Sequence, residues 1–135
     1  MKKLLITLAT ILLIAGCQPK SNQVLPGSKQ LDQVKAIQIS DFKNLGSLNE
    51  NFKKNFSSEE KLKVFKKALE SARRNDKSIK KYDYDMKLNF TNGEDKALHI
   101  AKNKENEIVL KYIGDSNATY VVDHENSREL IKLIY

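Results

Sequence analysis

The two histidines of this 135-residue chain, His99 and His124, are the first candidates for chemistry. A neutral imidazole can act as a general base, a proton carrier or a metal ligand. Neither histidine has a partner at metal-ligand spacing, and a single cysteine, Cys17, excludes a cysteine-based zinc site and a disulfide scaffold. We therefore interpret both histidines as structural, either exposed or hydrogen-bonded within the fold, and expect no metal site.

Two carboxylates, Asp83 and Asp85, stand two positions apart in an alternating segment. On a β-strand they would be neighbours on one face, and carboxylates that are buried together can do acid–base work. Lys87 and Asn89 continue the same face. The pattern therefore favours a solvated sheet face over a catalytic pair.

Other short motifs are incomplete. The spacing of Asp115 and Asn117 matches a fragment of a calcium loop without the remaining ligands. Ser57, Ser116 and Ser127 lack the surroundings of a nucleophile elbow, and no glycine-rich phosphate loop is found. The sequence predicts no catalytic residue and no cofactor-binding residue.

The N-terminus carries the most specific motif. A basic start precedes an apolar run, Leu4–Ile14, that is shorter than the roughly 20 residues needed to span a bilayer. This pattern predicts a signal peptide over residues 1–16. The segment Ile14–Cys17 resembles the lipobox of bacterial lipoproteins, which implies that the Cys17 thiol carries a diacylglyceryl group. An ordinary signal peptide with a chance cysteine is the alternative.

A lipidated Cys17 determines where the protein acts. Two acyl chains hold a protein stably on a membrane, so we expect a lipid anchor at the extracytoplasmic face of the cell membrane. The anchor also consumes the only thiol. Polar residues, two prolines and a glycine follow, which predicts a flexible tether over residues 17–30 and a single domain over 31–135.

The chain is basic, with 24 Lys and Arg against 17 Asp and Glu, and loss of Lys2 and Lys3 lowers the formal charge from +7 to +5. Nucleic acid is not an expected partner outside the cytoplasmic membrane. The lysines are either a solvated coat, which we favour, or a basic patch that attracts anionic lipid or wall polymer. That patch would consist of Lys53, Lys54, Lys61, Lys63, Lys66 and Lys67.

One long and one short helix are predicted. Ser57 and Glu60 have the spacing of a capping box, and apolar residues then recur at helical spacing as far as Ala72. Arg73 and Arg74 suit the negative end of the helix dipole. Near the C-terminus, Asn126 is predicted to cap a short helix, with Glu129 at the reciprocal position, and Leu130, Ile131, Leu133 and Ile134 form its apolar side.

The strand pattern predicts an antiparallel sheet. Val34–Ile39 and Phe52–Phe56 are the first two candidate strands, and Tyr84–Phe90 alternates apolar and polar residues before Asn92-Gly93. An odd-length loop keeps the apolar faces aligned, pairs Met86 with Leu98 and puts Gly93 in a left-handed bulge. Further pairings are Ile108, Leu110 and Tyr112 with Ile100, Leu98 and Lys96, and Tyr120 and Val122 with Tyr112 and Leu110.

These elements predict an α+β domain with a four- to six-stranded antiparallel meander. The long helix should cover the Tyr84–Phe90 face. The short helix should cover the side that carries Val109, Ile113 and Val121, or else close a sheet edge.

The layout from Phe56 to Tyr135 resembles the small YhfM-like lipoprotein domain of bacilli. The matching features are the capped helix Glu59–Ala72, the alternating strand Tyr84–Phe90, Asn92-Gly93, the strand Tyr120–Val122 and the terminal helix through Leu130 and Leu133. The resemblance implies this fold and a Gram-positive cell membrane. The family has no established activity, so the resemblance implies none.

We accordingly predict that the protein acts as a non-catalytic binding module at the cell envelope, with an unidentified protein partner. The alternative is a small inhibitor or immunity lipoprotein that blocks an enzyme, a toxin or a phage factor. An envelope hydrolase is a third class, which the lack of a catalytic constellation disfavours. The excess of lysine over arginine suggests an AT-rich host genome.

Overall fold

The structure, a computed structural model, describes residues 23–76, 79–114 and 117–135. Within these ranges it is an α+β fold, as predicted, with one antiparallel sheet and two α-helices. The elements are β1 (Val34–Asp41), β2 (Lys54–Phe56), α1 (Glu59–Ser71), β3 (Arg73–Arg74), β4 (Tyr84–Phe90), β5 (Asp95–Lys102), β6 (Ile108–Tyr112), β7 (Tyr120–Val121) and α2 (His124–Ile134). The predicted signal peptide over 1–16, Cys17, Asp115 and Ser116 lie outside the described residues.

The seven described strands follow the order β2-β1-β4-β5-β6-β7-β3. Strands β4 to β7 form the predicted meander, and β1 pairs antiparallel with β4. The strand count exceeds the predicted range because Arg73 and Arg74 form a two-residue strand against β7. A strand of two residues is too short for an alternating pattern of apolar and polar residues to predict it.

The β4–β5 register confirms the prediction that an odd-length loop keeps the apolar faces of these two strands aligned. Met86 pairs with Leu98 and Tyr84 with Ile100, and Gly93 has a φ of +88°. The predicted pairings further along were wrong by two residues, since Leu110 lies opposite Ile100 and Tyr120 lies opposite Leu110. A shift of two keeps every side chain on its face, so apolar spacing alone cannot exclude it.

Both helix caps differ from the predicted ones. The N-cap of α1 is Ser58, whose Oγ accepts from the Lys61 N–H at 3.4 Å, rather than Ser57. The N-cap of α2 is Asp123, whose Oδ1 accepts from the Asn126 N–H at 2.8 Å, so α2 begins three residues earlier than predicted. A carboxylate at this position also suits the positive end of the helix dipole.

The two helices pack on the same face of the sheet. Phe65 and Leu69 of α1 and Leu130 and Ile134 of α2 are buried in one core. That α1 covers the Tyr84–Phe90 face is confirmed, and the prediction that α2 covers the other face or closes an edge was wrong. The strand residues of this core include Ile37, Ile39, Met86, Leu88, Leu98, Ile100, Ile108 and Leu110.

A buried serine fixes α2 at this position. The Oγ of Ser127 accepts from the Ile108 N–H at 2.9 Å and donates to the Val122 carbonyl at 3.1 Å. Its side chain thus joins the first turn of α2 to β6 and to the end of β7. Ser127 is therefore a structural residue.

The folded unit begins earlier than the sequence predicts. Val24 forms a β-bridge with Arg73, Leu25 is 1% exposed, and Ser28–Gln33 is a 3₁₀-helix. The predicted flexible tether over 17–30 was therefore wrong for residues 23–30. Of the helices described, none is both long and apolar enough to cross a bilayer.

Candidate functional site

The helix-free face of the sheet carries the residues with potential chemistry. The β1–β2 loop folds over one part of it, and the segment before β4 covers another part. Tyr82, Ala101 and Val109 form a small apolar cluster there, against which Phe42, Ile79 and Val121 pack. Two features of this face are candidate sites: a buried carboxylate–imidazole pair and an open cleft.

Asp85 and His99 form the buried pair, and both side chains are 0% exposed. The Asp85 Oδ1 lies 2.6 Å from the His99 Nδ1, and the Asp85 Oδ2 accepts from the Asn49 N–H at 2.8 Å. The solvated face predicted for Asp85 was therefore wrong. The reason is the β1–β2 loop, which folds back and takes the place of solvent.

The second ring nitrogen of His99 is also occupied, because Nε2 lies 3.0 Å from the carbonyl oxygen of Leu45. A carbonyl only accepts, so Nε2 carries a proton, and a second proton lies between Nδ1 and Asp85. The rings of Phe42 and Tyr82 pack against the imidazole at centroid distances of 5.0 and 5.4 Å. The pair is thus enclosed, and burial raises the pKa of the Tyr82 hydroxyl.

The enclosing loop is held chiefly at Asn49. The Ser40 hydroxyl donates to the Asn49 carbonyl at 2.5 Å, and the Asn49 side-chain amide donates to the Asp41 carbonyl at 2.8 Å. With the bonds to Asp85 and His99, these contacts attach the loop to β1, β4 and β5. As arranged, the buried pair joins loop to sheet and presents no atom to a substrate.

The predicted register already contained this pair. If Met86 lies opposite Leu98, then Asp85 lies opposite His99, as the structure shows. The pair was not predicted, because alternating polar residues on a strand are typical of a solvated face. The signal that could have revealed it is a histidine directly opposite an aspartate in the strand pairing.

The cleft lies at the other part of the helix-free face and has a volume of about 470 Å³. Its floor is apolar, formed by Ile79, Val109 and Val121, and Asn75 and Asn103 lie at its edge. Its basic rim consists of Lys80, Lys81, Lys102 and Lys104, with Glu105 as the acidic member of the lining. An apolar floor with a few convergent polar groups is typical of ligand sites.

Most rim lysines have no counterion. Lys80, Lys81 and Lys104 are exposed and form no ion pair with any residue that the structure describes, and the Lys102 Nζ lies 4.6 Å from the centroid of the Tyr135 ring. The nearby acid Asp76 is already engaged, since the Arg74 guanidinium holds the pKa of its carboxyl below the usual value. The rim therefore has cationic groups available to an anion.

The patch predicted on α1 differs in this respect. Lys66 pairs with Asp32, and Lys53 pairs with Asp41. The Lys54 ammonium donates to the Leu133 and Ile134 carbonyls at 3.2 and 2.9 Å. Three of the six predicted patch lysines thus have polar partners within the fold, and the Lys61 Nζ lies 5.8 Å from the centroid of the Phe56 ring.

The remaining candidates are separate from one another. His124 is exposed, 3.5 Å from the Glu107 carboxylate, and Asp83 accepts from the Tyr135 hydroxyl at 2.6 Å. Burial and the bond to Asp83 raise the pKa of Tyr135. Nowhere in the described ranges do three His, Cys, Asp or Glu side chains gather as metal ligands would.

Comparison with known proteins yields a structural match. No family model and no curated protein matches the sequence. A solved structure of a thioesterase-like protein from Clostridium sporogenes superposes with a TM-score of 0.57 at 18% identity, covering 77% of this chain and 96% of that one. At this identity the likeness establishes a shared fold.

Proposed function

We propose that this chain is a lipid-anchored, extracytoplasmic and non-catalytic binding module of the cell envelope, in the manner of the YhfM-like lipoproteins that it resembles. The observation that carries the proposal is the cleft on the helix-free face, with its apolar floor and uncompensated lysines. Such a cleft suits binding, because the apolar floor supplies affinity and the charges select the ligand.

The proposed anchor is Cys17, on the strength of the lipobox-like segment Ile14–Cys17. We expect metabolic labelling with a fatty-acid analogue to mark the wild-type protein and the whole of it to fractionate with membranes. Cys17→Ser should lose both the label and the membrane association. A labelled serine variant, or a wild-type protein secreted in soluble form, would contradict the anchor.

The non-catalytic assignment is supported by the enclosure of Asp85 and His99, which form the one buried acid–base pair among the described residues. Nε2 of His99 is bound to Leu45, and the pair does not line the cleft. A second candidate function is thioester hydrolysis, which the fold likeness and this Asp–His pair favour. Purified protein should leave short-chain acyl thioesters intact, and turnover that His99→Gln abolishes would establish the hydrolase instead.

The binding role can be tested by cross-linking in intact envelopes. Charge reversal at the rim, Lys80→Glu with Lys104→Glu, should remove the cross-linked adducts of the wild type. The matched control, Lys63→Glu with Lys67→Glu on α1, changes the charge equally at exposed positions and should retain them. Equal adducts in both double variants would show that the cleft is not the binding surface.

A further inference from the structure

The cleft combines two chemistries that one small ligand can satisfy together. Its floor of Ile79, Val109 and Val121 offers a surface to aliphatic carbon, and the lysines at its rim offer charge to an anion. A ligand that matches both must be an amphiphile with a negative head. Lysine suits a phosphate head, because its ammonium acts as a mobile point charge on a flexible stem.

The first residues that the structure describes lie beside this cleft. The carbonyl oxygen of Gln23 accepts from the Arg74 N–H at 2.9 Å, and the next residue, Asn75, lines the cleft. Gln23 is only six positions after Cys17, a separation that spans at most about 20 Å of chain. A lipid anchor at Cys17 would therefore hold the cleft close to the bilayer surface.

Charge and position together select the occupant. Bacterial and other anionic bilayers present phosphate groups attached to aliphatic chains, and basic residues are attracted to them within about 8 Å at physiological salt. We propose that the cleft binds an anionic phospholipid of the membrane that holds the anchor, with the headgroup phosphate at Lys80, Lys81 and Lys104 and the first acyl carbons on the apolar floor. This inference rests on the anchoring in the proposed function.

The test uses the mature lipoprotein in neutral detergent, titrated with dihexanoyl-phosphatidylglycerol and followed by amide NMR. The amide signals of Ile79, Val109 and Val121 should shift saturably, and added salt should weaken the binding. Dihexanoyl-phosphatidylcholine should bind at least about tenfold more weakly. Inorganic phosphate should bind more weakly too, since it cannot use the floor.

Charge reversal provides the matched comparison. Lys80→Glu with Lys104→Glu should weaken phosphatidylglycerol binding by at least about tenfold. Lys63→Glu with Lys67→Glu should leave it unchanged. Equal binding of the two lipids, equal binding of inorganic phosphate, or equal loss in both double variants would overturn the proposal. Unfolding midpoints confirm that each variant is folded.

The two proposals fail in different ways. If phosphatidylglycerol leaves the cleft signals unmoved, but rim charge reversal still removes the envelope adducts, the lipid inference fails and the binding module remains. If Cys17 is never labelled, the anchoring fails, and with it the argument that the cleft faces the bilayer.

Discussion

At the scale of single residues, the most consequential pair is Asp85 and His99. Each of them is fully buried, and each satisfies its hydrogen bonds through the other and through the β1–β2 loop. A buried hydrogen-bonded pair contributes little net stability when intact, because its bonds replace bonds to water, but it is costly to break. The pair thus acts mainly by dictating where the loop lies.

Removing one partner should therefore cost more than the contact itself contributes. We expect Asp85→Ala to lower the free energy of unfolding by about 3 kcal/mol, because it leaves the His99 Nδ1 and the Asn49 N–H without a hydrogen-bond partner. Urea denaturation measures this. Asp95→Ala, at an exposed acid 4.0 Å from Lys87, should cost less than about 0.5 kcal/mol, and similar losses for both would contradict the argument.

Tyr135 should make stability fall at alkaline pH. Its pKa is raised in the folded state by burial and by Asp83, whereas an unfolded tyrosine titrates near its ordinary value of about 10. Above that pH the unfolded chain loses the proton first, so stability present below pH 10 is lost as pH rises. The free energy of unfolding of Tyr135→Phe, measured by urea titrations, should fall less steeply than that of the wild type between about pH 10 and 11.5. Identical slopes would contradict this.

At the scale of elements, helix starts were predicted less well than helix bodies. The apolar positions of α1 and α2 all belong to their helices or pack against the core, but Ser58 and Asp123 are the capping residues. In α1, two adjacent serines both satisfy the cap preference. The structure distinguishes them, since the Lys61 N–H donates to the Oγ of Ser58.

A pair of serine substitutions tests the cap of α1. Ser58→Ala should destabilise the protein by about 1 kcal/mol, because the Lys61 N–H loses its partner. Ser57→Ala should change stability by no more than a few tenths of a kcal/mol, since this exposed residue lies before the cap. Thermal unfolding of both variants measures the difference. A larger loss from Ser57→Ala would restore the capping box that the sequence predicts.

At the scale of the whole molecule, the two faces of the sheet have different roles. Both helices cover one face and form the main core. The other face has the β1–β2 loop over part of it and an open cleft beside it. Lys66 of α1 and Lys53 are paired with Asp32 and Asp41, whereas Lys80, Lys81 and Lys104 at the cleft form no ion pair with any described residue.

The boundary of the folded unit gives a prediction at this scale. A chain that begins at Gln23 serves as the reference, because it keeps every described residue at this end of the fold. A chain that begins at Gly27 should lose about 2 kcal/mol, because it lacks the buried Leu25 and the bridge between Val24 and Arg73. Equal stability of the two chains in urea denaturation would show that residues 23–26 are only a tether.

Local and periodic features could be predicted from the sequence. The α+β class, the body of α1, the meander and the Met86–Leu98 register all follow from spacing, because side-chain parity on a strand is strict and an apolar face must be buried. The left-handed Gly93 follows from the same parity.

Features that depend on distant segments were decided only by the tertiary structure. The sheet face on which α2 packs depends on the hydrogen bonds of the Ser127 hydroxyl to Ile108 and Val122. The burial of Asp85 depends on the β1–β2 loop, whose Asn49 N–H donates to the Asp85 carboxylate. The cleft joins Asn75 and residues 79–81 to the β5–β6 turn and β7. Sequence periodicity records the burial of each residue along its own element, and these contacts arise between segments that no period connects.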